Sequence, residues 1–327
     1  MLATIAAAVA ALVGWALAPK LRGRAKREET MQTAAQSKTT PRALQAVFPP
    51  GPEHWVGDGF YVKTVFWPQL DAQMLSPFLL LDHAARRRFE ASPYRRGVGE
   101  HPHRGFETVT FAYEGEVEHR DSAGGGGRIG PGDVQWMTAA SGVVHEEKHS
   151  QAFSERGGDF EMVQLWVNLP ASKKMSEPRY QPLLDREFPR LDLGASEARL
   201  VAGTVGQETG PAQTHTPITT LDLRFHEDGT SEVELPRGWT TLVFPLEGEV
   251  SAGPGFEDVA ARHFGVFDRG DDGPVQIHAR KGSRVLVLAG EPLDEPVVAY
   301  GPFVMNTREE IGQAFRDYQS GKMGRLL

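Results

Sequence analysis

HPHRGFETVTFAYEGEV (101–117) and ELPRGWTTLVFPLEGEV (234–250) align without a gap, and eight of the seventeen positions are identical. Self-similarity at a fixed spacing marks a duplicated structural unit. Arg104, Gly105, Phe111 and the run Glu114–Val117 recur as Arg237, Gly238, Phe244 and Glu247–Val250, whereas His101, His103 and Glu107 face Glu234, Pro236 and Thr240. Strand and turn residues are therefore shared, and the residues able to hold a metal are not. A pair of histidines needed only for folding would be needed in both copies, so the pair in the first copy points to function.

Outward from this segment the chain keeps one texture. YVKTVFW, PFLLLD, VQWMT, MVQLWVNL, ITTLDLRF, TTLVFPL and RVLVLAG have strand length and composition, and turns such as GGGGRIGPGD and DRGDDGP separate them. That rhythm predicts an all-β sandwich or barrel. The exception is the end: Thr307 with Glu310 fits a capping box, Ile311, Phe315 and Tyr318 share a face, and Gly321 supplies a stop, so a C-terminal helix is expected on a β body.

Residues two apart on a strand point the same way, about 6.5–7 Å apart, close enough for two imidazoles to converge on one ion. Alone, H-x-H is a common surface pair. A second cluster, His145, Glu147 and His149, repeats the alternate spacing, and in the other copy His145 faces His278 but Glu147 faces Arg280. The second copy cannot assemble the same site.

Composition narrows the class. The 327 residues are 40% hydrophobic and 24% charged, which suits a soluble globular protein of about two domains. A net charge of −8 disfavours direct binding to nucleic acid. With no cysteine, disulfides, thiolate metal sites and a cysteine nucleophile are excluded, so any metal takes nitrogen and oxygen donors. The uncharged start, MLATIAAAVAALVGWALA (1–18), would span about 27 Å as a helix, and KLRGRAKR follows it. It reads as an N-terminal membrane anchor with the body facing the cytoplasm; a cleaved signal, a misplaced start and a soluble cytoplasmic protein are the alternatives. Residues 19–57 read as a basic flank and linker.

HPHRGFET, PGDVQWMTA with SGVVHEE, QLWVNLP (164–170), PFLLLDH (77–83) and GPFVMNT (301–307) together resemble the pirin family, a bicupin branch of the cupin superfamily, from about residue 58 onward. The resemblance implies two tandem cupin (double-stranded β-helix, jelly-roll) barrels, 58–180 with a metal and 181–327 without. The family's four ligands fall on His101, His103, His145 and Glu147. The set suits one divalent ion, iron first, with manganese, nickel, copper or zinc as alternatives. Family members include quercetin 2,3-dioxygenase-type enzymes, which act on a small aromatic substrate and O2, and iron-dependent transcriptional co-regulators. The enzyme is the expected class, and an iron-dependent regulatory protein without physiological turnover is the alternative. Glu147 and Glu107 are the candidates to handle a proton, and His149 is a candidate second-layer group; Glu107 as a plain strand carboxylate is the alternative. His83 and Arg104 read as structural, and Phe106, Trp136, Met137 and Trp166 as core or as an apolar pocket wall.

Overall fold

The computed structural model describes residues 40–326. Each repeat forms one seven-stranded and one four-stranded antiparallel sheet. In the first unit the larger sheet runs Arg179–Leu183, Val134–Thr138, Phe106–Glu114, Gly158–Asn168, Phe78–Phe89, Phe60–Phe66, Glu53–Val56. Its smaller sheet runs Gly97–His103, Val143–His149, Val117–Asp121, Gly126–Ile129. In the second unit the smaller sheet, Gly229–Val233, Val275–Ala279, Val250–Ala252, Glu257–Asp258, repeats that order. The hydrogen-bond ladders thus define two cupin-like sheet pairs, each ladder ending in outer strands.

Strand alternation decides what each face of the large sheets touches. Val109, Phe111 and Leu165 of the first unit share one buried cluster with Leu242, Phe244 and Leu288 of the second. The two large sheets therefore pack on each other through these faces. The opposite face of the second unit's large sheet, with Leu221, Val243 and Val287, meets Val275 and Ile277 of its small sheet in an apolar core. In the first unit the corresponding interior has an apolar end around Phe60, Phe89, Phe153 and Phe160. The other end mixes polar side chains with Phe106, Met137 and Trp166. Thr110 stands there where the second copy has Val243.

Two segments cross between the units. Leu44–Phe48, within the stretch read as linker, is a strand paired with Phe264–Phe267 of the second unit. At the other end the helix Arg308–Gln319 begins with the expected capping box: Thr307 Oγ1 accepts from Glu310 N at 3.2 Å, and Thr307 N donates to Glu310 Oε2 at 2.9 Å. Ile311, Ala314 and Met323 then pack on Val144 of the first unit, with Phe303 and Met305 between. Gly105 makes this closeness feasible: its φ is +89°, and a Cβ there would lie 1.9 Å from Val304 O. The chain's end thus closes over the strand that carries His101 and His103.

The membrane-anchored, cytoplasm-facing placement is corrected. Among the described residues no helix is long and apolar enough to cross a membrane, and residues 1–18, on which that expectation rested, lie outside the described residues.

Candidate metal centre

His101 and His103 end the strand Gly97–His103, and His145 and Glu147 lie on its neighbour Val143–His149, with His101 and His145 directly paired. Ring centroids of the three histidines are 4.2 to 4.9 Å apart. One nitrogen from each of His101, His103 and His145 forms a group within 4.8 Å, and His119, His145 and Glu147 form a second, joined to the first through His145. All are buried.

Backbone and side-chain partners fix which nitrogen of each ring is free. His101 Nδ1 lies 2.8 Å from Gly99 O, and His103 Nδ1 lies 3.3 Å from Pro302 O. A carbonyl only accepts, so both Nδ1 atoms carry the proton and both Nε2 lone pairs are left for a ligand. For His145 the free nitrogen is set by a relay. Asp121 Oδ1 accepts from Ala123 N and Gly125 N at 2.9 Å each, and its Oδ2 lies 3.1 Å from His119 Nε2. Burial pushes Asp121 upward, but these bonds hold it below the usual carboxylate range. His119 Nε2 therefore donates, and its Nδ1 accepts from His145 Nδ1 at 3.3 Å. What remains on His145 is Nε2, fully buried and without a partner. An orphaned buried lone pair beside two oriented ones is what a divalent cation would satisfy.

Electrostatics agree. Burial first, then the neighbouring rings, pushes His103 and His145 well below the ordinary imidazole value. Neutral imidazoles are the form that ligates. Glu147 is oriented by three donors: Thr110 Oγ1 at 3.3 Å, Gln164 Nε2 at 3.0 Å and Gln135 Nε2. Gln135 Oε1 accepts in turn from Tyr180 OH at 3.2 Å, and the Tyr180 ring stacks on His119 with centroids 4.6 Å apart. His119, Asp121, Thr110, Gln135, Gln164 and Tyr180 escaped the sequence reading. A lone glutamine inside each of the apolar strands VQWMT and VQLWV was the available signal, because a buried amide requires a partner.

Other sequence candidates fall elsewhere. Glu107 sits on the strand Phe106–Glu114 with Val109 and Phe111, the face turned to the second unit and away from Thr110. Thr138 Oγ1 donates to its Oε1 at 2.6 Å, and Oε2 has no partner. Trp136 is on that same core face. Phe106 and Trp166 do reach the centre, with rings 5.0 and 5.3 Å from His103. His149 is held in the aromatic end of the interior, its Nε2 3.1 Å from Gly59 O and its ring against Phe89 and Phe160. Arg104 is buried and binds Asp317 at 2.9 Å, whereas its counterpart Arg237 is exposed and 3.8 Å from Asp272. Two sequence-equivalent arginines thus have different tasks.

The second copy lacks the centre. His278, in the place of His145, has its Nδ1 3.1 Å from Thr230 Oγ1, and Arg280, in the place of Glu147, is exposed and pairs with Asp228 at 2.9 Å.

Comparison with known proteins decides the lineage. The profile of the pirin family matches residues 60–167, and that of the pirin C-terminal cupin domain matches residues 220–324. The chain belongs to the pirin family. Human pirin is 38% identical over 253 residues, 76% of this chain and 83% of the human protein. A Pseudomonas aeruginosa protein with the provisional name quercetin 2,3-dioxygenase is 53% identical over 271 residues, 82% of this chain and 94% of that protein. The crystal structure of a quercetin 2,3-dioxygenase from Acinetobacter baumannii superposes with a TM-score of 0.84 at 44% identity, covering 88% of this chain and 100% of that one. This pirin is thus a homologue of proteins named as quercetinases, and its His/Glu cluster is a candidate divalent-metal site of the dioxygenase type.

Two expected results follow. Replacing His119 by phenylalanine keeps the stack on Tyr180 but removes the acceptor for His145 Nδ1, so metal affinity should fall by about 10–100-fold. A competitive chelator titration checks this, and an unchanged affinity would show that the relay does not position His145. Glu107 gives a test of stability. Burial raises its carboxyl from 4.5 to about 7. Between these values the folded chain keeps a proton that the unfolded chain has lost, so stability falls as pH rises through the window, by up to roughly 3 kcal/mol. Glu107→Gln should abolish that fall in urea titrations and leave turnover intact; lost turnover would return Glu107 to the chemistry.

Proposed function

We propose that His101, His103, His145 and Glu147 hold one divalent ion, iron by preference, and that the centre opens the ring of a flavonol with O2. The orphaned Nε2 of His145 beside the free Nε2 of His101 and His103 carries this reading. The nitrogen-rich donor set with one carboxylate suits iron and accepts manganese, nickel, copper or zinc. His119 has both nitrogens engaged, which leaves Glu147 as the fourth ligand. We also infer that the sheet pairs close as cupin barrels, with the division at residues 58–180 and 181–327.

When bound, the ion supplies Lewis acidity and access to O2. The protein supplies the rest. Glu147, held by Gln135, Gln164 and Thr110, accepts the proton of the substrate hydroxyl. Phe106 and Trp166, with ring centroids 4.3 Å apart, offer an apolar wall against which an aromatic ligand packs and water is excluded. Both atoms of O2 enter the ring-opened ester, and carbon monoxide leaves.

The test is simultaneous measurement of O2 uptake and carbon monoxide release with quercetin on fully metallated protein. Equal amounts of the two gases are expected. Absence of O2 uptake with quercetin and other flavonols would overturn the proposal.

A further inference from the structure

We propose that a cavity of about 200 Å³ at the seam of the two units binds a small oxyanion, a phosphate or a carboxylate. It is separate from the metal centre. His83, on its lining, pairs across the sheet with Val163, while the next residue, Gln164, reaches Glu147. By strand alternation the cavity and the centre lie on opposite faces of one sheet.

Charge selects the ligand. On a chain of net charge −8, the cavity gathers Lys63, Arg86, Arg87 and Arg262 against a single lining carboxylate, Glu53. Glu53 is engaged by Lys63 at 3.6 Å, and Arg86 is engaged by Glu114 at 2.9 Å. Arg87 is held by stacking instead, 4.4 Å over Tyr61 and 5.4 Å over Trp55, which leaves the edge of its guanidinium for a ligand. Among the described residues no ion pair neutralises Arg87 or Arg262. Arg262, contributed by the second unit, has φ +67°, fixed by its N–H donating to Pro245 O at 2.7 Å. A non-glycine residue kept in that costly conformation on the lining of a cavity is placed there by its surroundings. Two guanidinium groups facing one concavity are suited to bind a carboxylate or phosphate through paired N–H bonds.

His83 is the buried member of the lining. It is 2% exposed, its Nε2 lies 3.4 Å from Glu161 Oε1, and its Nδ1 has no partner. Arg284 binds both oxygens of Glu161, at 2.8 and 3.0 Å, so the carboxylate is fixed as an acceptor. His83 Nε2 therefore donates, and the buried Nδ1 presents a lone pair. That lone pair has no accessible surface, so the choice of ligand rests on the two arginines and not on His83.

Calorimetric titration of the full metallated chain with inorganic phosphate, salicylate and benzoate, at ionic strength matched with sodium chloride, tests this. Saturable binding of phosphate or of a carboxylate is expected, and which one binds identifies the source of the oxyanion. Arg87→Gln and Arg262→Gln should each weaken binding about tenfold. Both arginines are exposed or half-buried, so these variants keep the fold. His101→Ala should leave the affinity unchanged. The proposal is overturned by no saturable binding, by unchanged binding in the Arg87→Gln/Arg262→Gln variant, or by loss of binding in His101→Ala, which would move the anion to the metal.

Discussion

Replacing His145 by alanine is expected to remove the metal and the turnover together while the protein stays folded. His145 is the member common to both groups of converging ligand atoms. Its ring is completely buried, its Nδ1 is spent on His119, and its Nε2 has nothing else to bind. Loss of an outer partner costs about 10–100-fold in metal affinity, so loss of this ligand should cost on the order of a thousandfold. Turnover should fall with it. The fold should survive, because the second unit builds the same small sheet with no such cluster, its His278 bonded only to a threonine. Metal content and urea unfolding of the variant check both halves. Full metal retention in His145→Ala would exclude the proposed ligand set.

The second large effect is on stability. Arg199 is 2% exposed and Asp222 is fully buried at the contact between the units. Arg199 Nη2 and Nε both donate to Asp222 Oδ2, the latter at 3.1 Å, and Nη1 donates to Gly132 O of the first unit and to Asp185 Oδ1 at 2.7 Å. Asp222 Oδ1 has no partner, so Arg199 is the group that compensates this carboxylate. Arg199→Met should cost about 3–5 kcal/mol, mostly from leaving a charge buried alone. The Arg199→Met/Asp222→Leu variant should recover much of that loss, because an apolar pair needs no compensation. Equilibrium urea unfolding distinguishes the two. A loss below about 1 kcal/mol in the single variant would mean that the carboxylate takes up its proton instead.

The duplicated β unit was legible because turns and strands leave a local imprint: RG, the following strand and EGEV recur wherever the same sheet edge is built. The ligands were legible because alternate spacing on a strand is also local. Glu107 illustrates where this stops. Counting in twos from His103 puts it with the ligands, yet the chain leaves the small sheet at Arg104, turns through Gly105 with positive φ, and enters the large sheet at Phe106. Parity is not carried across such a turn. His119 and Asp121 share the spacing of a ligand pair, but their role depends on His145, which reaches them from the neighbouring strand. Leu44–Phe48 gave no strand signal strong enough to separate it from a linker, because its partner lies more than 200 residues away.

The proposed centre requires one metal in the first unit and none in the second. Elemental analysis of the untagged chain, purified without added metal and compared with His101→Ala, tests that directly. One divalent ion per chain, lost in the variant, is the expected result. Two ions per chain, or an ion retained when His101 is gone, would contradict it.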